Sequence, residues 1–260
     1  MKFLNIILNQ KKMGLLIVLS IFNFIQISGQ SDKDLDCKIK PGDLPKFQAA
    51  LNDAKLHYYT NQGKTKLDLK KAEEQCNTDY FFVEKGKMIL ISPGQKSDRT
   101  EIRQEKDLDL SSKSAMHLIA TFENVPDARM NKGVTIGQIH NDTKGVKRPL
   151  LRVEIAGGSE IRVVFTESYL KNEGDVENDF FTSFSEKDKI ECIIEILGNG
   201  DEVAVAIKNL AKNKTRVITY SVSDLWKTMD GNFYFKAGAY TQVAGPRTKV
   251  SYDQFAFIYK

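Results

Sequence analysis

The chain has 260 residues, of which 41 % are hydrophobic, and its 38 Lys and Arg residues face 34 Asp and Glu. Three of the lysines and none of the acids lie in residues 1–29, so the remainder holds 35 basic and 34 acidic residues. This near-neutral balance argues against nucleic-acid binding, although a groove that concentrates the cations can still bind another polyanion. Beyond residue 29 no apolar run is long enough to span a membrane.

The first predicted element is an export signal over residues 1–29. Lysines precede the apolar run Met13–Ile25, and the small pair Ser28-Gly29 suits cleavage before Gln30. The run is short for a bilayer span, so we expect export to the periplasm or the medium. An uncleaved membrane anchor is the alternative.

Residues 30–75 are polar and lysine-rich, with one possible short helix from Leu44 to Leu56 and no clear strand. An exported chain meets an oxidising compartment, where Cys37 and Cys76 form the plausible disulfide pair. The third cysteine, Cys192, shares a strand face with isoleucines and is expected to be a buried free thiol.

From Tyr80 onward, short runs rich in Val, Ile, Phe and Thr alternate with Gly, Asn and Asp clusters. This pattern, without the spacing of β-α-β units, predicts an all-β sandwich of two antiparallel sheets of the jelly-roll type. The predicted strands are Lys87–Ser92, Arg99–Gln104, Ala115–Val125, Val134–His140, Leu150–Ala156, Ile161–Glu167, Lys189–Leu197, Glu202–Leu210, Arg216–Ser221, Asn232–Thr241 and Ser251–Tyr259.

Three of these strands gather unusual polar side chains on one face, because residues two apart on a strand share a face. Ordinary solvated faces carry Lys, Glu, Ser and Thr, whereas guanidinium, imidazole and phenol groups together suit proton abstraction next to a carboxylate. The three faces carry Arg99, Glu101 and Arg103; Gln138 and His140, with Ile136 on their face; and Tyr234, Lys236, Gly238, Tyr240 and Gln242. A merely solvated surface is the alternative for each strand taken alone.

The same strands carry RTEIRQ at 99–104, QIH at 138–140 and YFKAGAYTQ at 234–242. These blocks resemble, in order and separation, the signature blocks of the family 7 polysaccharide lyases, whose known members are alginate lyases. The resemblance covers about residues 80–260 and implies a jelly-roll catalytic domain over residues 76–260, with a concave substrate groove. Two departures stand out: the family's opening W-K-L-x-L-P segment has only the fragment Lys55-Leu56, and Gln104, beside the groove residues, replaces the usual acid.

The resemblance implies cleavage of 4-linked uronate chains by β-elimination. Arg99 and Gln138 would neutralise the sugar carboxylate, His140 would take the C5 proton of guluronate, and Tyr240 would protonate the departing O4. On mannuronate Tyr240 would act as both base and acid. Since a phenol titrates near pH 10, that role calls for cationic neighbours such as Arg99 or Lys236.

The expected protein is a secreted, endo-acting, monomeric alginate lyase that prefers guluronate, because family members with isoleucine in the Q-I-H block tend that way. Residues expected to bind neighbouring sugars or to orient the catalytic groups are Glu101, Arg103, Tyr234, Lys236 and Gln242. No cofactor is required, no metal-ligand spacing is visible, and the lone histidines His57 and His117 are expected to be structural or surface residues. The alternatives are a lyase for another polyuronate, such as glucuronan, and a non-catalytic carbohydrate-binding jelly roll.

Overall fold

In the computed structural model, the described part of the chain forms fifteen β-strands in two antiparallel sheets. The structure describes residues 37–126, 133–146, 148–156, 160–170, 176–182 (backbone only), 184–229 and 231–259. The export signal expected over residues 1–29 lies outside these ranges. None of the helices within them has the length and apolar character needed to cross a bilayer.

The strands of each sheet are given in the order in which they are hydrogen-bonded. The eight-stranded sheet contains β10 (Val176–Thr182), β9 (Glu160–Thr166), β8 (Leu151–Ala156), β7 (Val134–Asn141), β14 (Phe233–Thr241), β5 (Arg99–Gln104), β1 (Ala54–Thr60) and β2 (Thr65–Leu69). The seven-stranded sheet contains β13 (Lys214–Ser221), β12 (Glu202–Asn209), β11 (Ile190–Leu197), β6 (Ser114–Glu123), β15 (Thr248–Tyr259), β4 (Lys87–Ser92) and β3 (Phe81–Glu84). The helices are α1 (Pro45–Asn52), α2 (Asp224–Lys227) and the 3-10 turns Pro41–Asp43, Gln62–Lys64 and Ala72–Glu74.

The two sheets share one hydrophobic core, which confirms the predicted all-β sandwich of antiparallel sheets. Alternation along β11 shows how the core is filled, since Ile190, Cys192 and Ile194 face inward and Glu191 faces outward at the seven-stranded sheet. Cys192 is the buried free thiol that the sequence predicts, and burial raises its pKa to about 12. The thiol therefore stays protonated, and it packs as a small apolar side chain.

The amino-terminal segment differs from its prediction, because β1 and β2 lie where no clear strand was expected. The helix α1 ends at Asn52, and the next residues extend into β1, where Ala54 and Leu56 enter the core and Lys55 faces the other way. The edge strand β2 is short and rich in charge, which is typical of edges that avoid pairing with another molecule. A prediction based on hydrophobic runs does not detect either strand, because both carry many polar residues.

The predicted disulfide between Cys37 and Cys76 is present, with a Cα–Cα distance of 5.9 Å. It links the residues before Pro41–Asp43 to those before β3, and so closes a loop that contains α1, β1 and β2. The bond therefore fastens the two strands at this edge of the eight-stranded sheet to the rest of the domain.

Candidate active site

The three polar strands singled out in the sequence are neighbours in the eight-stranded sheet, with β14 between β7 and β5. Lys236 of β14 lies opposite Gln138 of β7 on one side and Arg103 of β5 on the other. Directly opposed residues of antiparallel strands have their side chains on the same face. The register therefore joins the three separate polar faces into one surface.

The ends of this surface are set by two further pairs. Tyr240 lies opposite Arg99, and Tyr234 lies opposite His140. The catalytic set predicted from the sequence, namely Arg99, Gln138, His140 and Tyr240, thus occupies one face of three adjacent strands.

A one-residue register shift between β7 and β8 falls between Thr135 and Gly137. Strict alternation predicts Ile136 on the face of Gln138 and His140, and this prediction is wrong. The extra residue turns Ile136 into the hydrophobic core, where its side chain is 1 % exposed.

Gly238 lies between Lys236 and Tyr240 on β14, where this strand comes unusually close to β5. A Cβ atom on Gly238 would lie 2.1 Å from the carbonyl oxygen of Thr100 and 2.7 Å from Cα of Glu101. No residue other than glycine fits without moving one of the two strands, so the spacing between Tyr240 and its neighbours on β5 depends on this residue.

Glu101 lies at the centre of the surface and is 1 % exposed. Its carboxylate accepts hydrogen bonds from Gln138 Nε2 at 2.5 Å and from Lys236 Nζ at 3.3 Å. Burial by itself would raise the pKa of Glu101, but the positive charges of Lys236 and Arg99 outweigh it, and the pKa lies below its ordinary value. Glu101 is therefore an ionised residue that orients two donors rather than a proton acceptor.

Lys236 is almost as deeply buried, at 5 % exposure. Burial is the largest influence on its pKa and lowers it, Glu101 acts in the opposite direction, and Arg99 lowers it further. The pair with Glu101 keeps this cation in the floor of the site, close to the groups of the catalytic set.

Arg99 is stacked between two tyrosine rings. Its guanidinium carbon lies 4.3 Å from the ring centre of Tyr240 and 5.5 Å from that of Tyr59 on β1. Its only side-chain hydrogen bond to a described residue joins Nε to the carbonyl oxygen of Ser97, at 3.3 Å. Both terminal nitrogens are therefore available to an anionic ligand.

The ring of His140 stacks on Tyr234, with 5.6 Å between ring centres and 10° between planes. Its Nδ1 lies 2.8 Å from the backbone nitrogen and 2.9 Å from the carbonyl oxygen of Asn141, whereas its Nε2 has no hydrogen bond within the described part of the chain. Burial, followed by the charge of Lys236, lowers the pKa of His140 to about 4. The imidazole is consequently neutral at physiological pH and can accept a proton.

Arg103 is committed to protein contacts. Its Nη2 lies 2.9 Å from Asp142 Oδ2 and 3.4 Å from Asp107 Oδ1, and its guanidinium carbon lies 3.9 Å from the ring centre of Tyr234. Burial raises the pKa of Tyr234, so this phenol stays protonated. Arg103 and Tyr234 thus form the support on which the ring of His140 rests.

Gln242 and Gln104 lie on different faces of the sheet. Gln242, predicted as a binding residue, is half-buried, and its Nε2 donates to the Thr135 hydroxyl at 3.1 Å. Gln104 was expected beside the groove, and that expectation is wrong, because its side chain is fully buried on the opposite face of β5. There its amide accepts from the backbone nitrogen of Phe235 at 3.1 Å and donates to the Tyr259 hydroxyl of the other sheet at 2.8 Å.

Three further residues lie on the face of the site, and the sequence analysis did not predict them. On β1, His57 lies opposite Glu101 and Tyr59 lies opposite Arg99. On β8, Arg152 lies opposite Gln138. Alternation within β1 would have given the first two once that segment was recognised as a strand. The signal for the third was the alternation of Arg152 and Glu154 with apolar residues in Leu151–Ala156.

His57 thus lies on the face of the site and is half-buried. Its Nε2 lies 3.1 Å from Asp68 Oδ1 on β2. Burial lowers its pKa to about 4, and the charge of Lys236 acts in the same direction. The other lone histidine, His117, pairs with Glu191 at 2.9 Å on the seven-stranded sheet, away from this face.

The surface as a whole offers cations, a neutral imidazole and a phenol beside the ionised carboxylate of Glu101, which is already paired. Within the described ranges no group of three or more His, Cys, Asp or Glu side chains could hold a metal ion. Such a set can bind a carboxylate, accept one proton and donate another, which is the chemistry of an elimination.

Comparison with known proteins agrees with this chemistry. The family model described as alginate lyase matches residues 52–258, a range that begins before β1 and includes all the strands of the site. A search of curated protein sequences gives no match.

Three solved structures are similar in fold. Alginate lyase A1-II′, a member of polysaccharide lyase family 7, has a TM-score of 0.67 and 16 % identity, covering 85 % of this chain and 99 % of its own. The alginate lyase from Klebsiella pneumoniae has a TM-score of 0.69 and 16 % identity, covering 85 % and 99 %. AlyC3 in complex with dimannuronate has a TM-score of 0.67 and 16 % identity, covering 89 % and 98 %.

The structural likeness at this identity establishes the jelly-roll fold, and the family model spans well over half of the sequence. The chain therefore belongs to the alginate lyase family, polysaccharide lyase family 7, and is a polysaccharide lyase.

Proposed function

We propose that this protein is a secreted, endo-acting alginate lyase that cleaves by β-elimination and favours guluronate-containing stretches. One observation carries the proposal: the catalytic set shares one face of three adjacent strands, and each member keeps a polar group free of hydrogen bonds to the described residues. Those groups are the terminal nitrogens of Arg99, the second N–H of the Gln138 amide, Nε2 of His140 and the hydroxyl of Tyr240.

The first step is neutralisation of the sugar carboxylate. Removing the C5 proton builds negative charge on a group that is already an anion, so cationic or N–H donors must meet it. Glu101 engages one N–H of the Gln138 amide at 2.5 Å and so fixes the direction of the other. Arg99 and Gln138 together provide the charge-assisted donors that stabilise the enolate-like intermediate.

The second step is proton abstraction by His140 on guluronate. For Nε2 to accept the C5 proton, Nδ1 must carry the ring hydrogen and donate it to the Asn141 carbonyl oxygen, 2.9 Å away, so that Nδ1 no longer accepts the Asn141 backbone N–H at 2.8 Å. The lowered pKa, about 4, keeps the imidazole neutral, and the Asn141 carbonyl oxygen is the acceptor that favours the tautomer with hydrogen on Nδ1. Binding of an anionic carboxylate nearby raises the proton affinity of the ring and favours the transfer.

The third step is departure of the leaving group. Tyr240 donates its phenolic proton to O4 as the C4–O4 bond breaks, which leaves a C4–C5 double bond on one product and a hydroxyl on the other. The net proton balance is one gained by His140 and one lost by Tyr240, restored through solvent. On mannuronate, whose C5 proton faces the other way, Tyr240 takes both roles.

Incubation of the protein with polyguluronate, polymannuronate, mixed alginate and glucuronan tests the substrate. Ultraviolet absorbance of the unsaturated product should rise fastest on the guluronate-rich polymers. A rapid fall in viscosity relative to product formation would identify endo action. Absence of product on all alginate polymers would refute the proposal, and faster turnover of glucuronan would move the activity to another polyuronate.

His140→Ala and Tyr240→Phe test the assigned roles. Each should lower kcat by a hundredfold or more, in line with the usual contribution of general acid–base catalysis of about 10²–10⁴. His117→Ala is the matched control, since His117 pairs with Glu191 on the other sheet. Unchanged turnover in both active-site variants would show that the roles are wrong even for an active lyase.

The export signal predicted over residues 1–29 supports secretion. Expression of the full chain in a bacterial host should place the protein in the periplasm or medium with Gln30 as its first residue, as read by mass spectrometry. Retention of an uncleaved chain in the membrane would contradict this part of the proposal.

A further inference from the structure

Arg152 lies one strand beyond the catalytic set. It is opposite Gln138 in the register of β7 and β8, and directly opposed residues have Cα atoms about 4.5–5.5 Å apart with side chains on the same face. The Arg152 side chain is 28 % exposed, so its guanidinium is in reach of a ligand that contacts Gln138.

Glu154 holds this arginine in place. The Glu154 side chain has no exposed surface, and its Oε1 lies 3.0 Å from Arg152 Nε. Its other oxygen pairs with Nη2 of the buried Arg162 on β9. Two guanidiniums thus contact one buried carboxylate, and the terminal nitrogens of the partly exposed Arg152 have no hydrogen-bond partner among the described residues.

The same construction occurs at the catalytic centre, where the buried Glu101 binds both Gln138 and Lys236. In both places a carboxylate without solvent contact lies beside a nitrogen donor on the face of the sheet, through hydrogen bonds at Glu101 and through an ion pair at Glu154. The two donors, Gln138 and Arg152, are cross-strand neighbours.

The distance between neighbouring strands can be compared with the length of one sugar unit of the substrate. The catalytic set is distributed across β5, β14 and β7 rather than along one strand, so a polymer bound to it crosses the strands. Neighbouring strands are about 4.8 Å apart, which is close to the length of one sugar unit, and a uronan carries one carboxylate on every sugar. A sugar adjacent to the reacting one therefore lies over β8.

We propose that Arg152, held by Glu154, binds the carboxylate of the uronate adjacent to the one whose carboxylate is bound by Arg99 and Gln138. This rests on the proposed function, since it takes the substrate to be a polyuronate. Arg152 is thus a substrate-binding residue and Glu154 a positioning residue.

The test is Arg152→Met, which removes the charge and keeps most of the apolar stem. On polymeric alginate KM should rise about tenfold while kcat stays within about twofold, because a charge-assisted contact made equally in ground and transition state is lost. Lys208→Met is the matched control, since Lys208 lies on β12 of the other sheet beside Glu191 and away from the core. Glu154→Gln should raise KM in the same way, and Arg152→Lys should recover part of the loss.

Binding measurements separate this inference from the proposed function. Calorimetry uses the Tyr240→Phe variant, with and without Arg152→Met, and alginate oligosaccharides as the ligand. Kd should rise about tenfold for the uronate oligosaccharide and not for its carboxyl-reduced, neutral counterpart. Equal Kd values for the uronate, an equal rise for the neutral ligand, or the same KM increase in Lys208→Met would overturn the inference. Lack of turnover by the wild-type chain, with the Kd difference intact, would instead refute only the proposed reaction.

Discussion

The pH dependence of kcat/KM is the most direct test of the environment around His140. Burial and the charge of Lys236 lower its pKa to about 4, against an ordinary value of 6.5. The base must be unprotonated in the free enzyme, and kcat/KM reports the pKa values of the free enzyme. The activity should therefore persist on acidification well below the point at which an exposed histidine would lose it.

The size of the effect follows from the protonated fractions. At about pH 5.5 an imidazole with a pKa of about 4 is roughly 97 % neutral, whereas one with the ordinary value is about one-tenth neutral. Acidification from about pH 7.5 to 5.5 should thus leave kcat/KM almost unchanged, where an unperturbed base would lose about tenfold. Initial rates should be measured far below KM and at constant ionic strength, because salt screens the attraction of a polyanion.

Folding stability has to be followed over the same range, because His57 also has a pKa lowered to about 4. A histidine whose pKa is lower in the folded state takes up its proton first in the unfolded chain, so stability is lost as the pH falls below 6.5. For His57 the loss is about 1 kcal/mol at pH 5.5 and about 3 kcal/mol by pH 4. His140 has the same lowered pKa and contributes a similar loss, so His57→Gln should remove about half of this dependence, as measured by urea unfolding.

A one-proton acid limb near pH 6.5 in kcat/KM, present in both wild type and His57→Gln while the protein remains folded, would refute this reasoning. It would mean that the imidazole of His140 is solvated in solution and that neither burial nor the charge of Lys236 lowers its pKa.

Three other perturbations test the framework of the site. Glu101→Gln should lower the free energy of unfolding in urea by about 3–5 kcal/mol, because it leaves Lys236 buried without its counter-ion. Adding Lys236→Met should restore part of that loss, and an equal or larger loss in the double variant would contradict the ion pair. Gly238→Ala should lower both stability and kcat, since its Cβ would lie 2.1 Å from Thr100 O, and a variant with wild-type rates and melting temperature would show that the strands can separate at no cost. Cys37→Ser should lower the free energy of unfolding by about 4 kcal/mol for a 39-residue loop, and an unchanged value would show that the disulfide does not restrict the unfolded chain.

The faces of individual strands could be predicted because regular strands alternate. The rule placed Glu101 beside Arg103. It also puts Gln104, which follows the groove residues in the sequence, on the interior face with Ile102. It failed at Ile136, where an extra residue in β7 breaks the alternation. Such shifts arise from the fit between neighbouring strands, which a single strand's sequence does not record.

Strand order was outside the reach of any local pattern. β14 lies between β7 and β5 although it begins at Phe233, 92 residues after the end of β7 at Asn141 and 129 after the end of β5 at Gln104, and only the packing of the two sheets decides that placement. The prediction that the three polar strands are neighbours came from the family resemblance. That resemblance did not supply β1, whose residues His57 and Tyr59 lie in a polar segment outside the recognised blocks.

The central position of β14 bears on how the enzyme can diversify. This strand has a hydrogen-bonded neighbour along each side, so its backbone amides should be among the slowest to exchange with solvent. Tyr240 therefore lies on a rigid part of the sheet. Tyr59 and Arg152 lie on β1 and β8, the strands that flank the catalytic set on its two sides. Selection for a new uronan can therefore act on the flanks of the sheet while the reaction at its centre is conserved, and libraries for altered substrate range are best placed there.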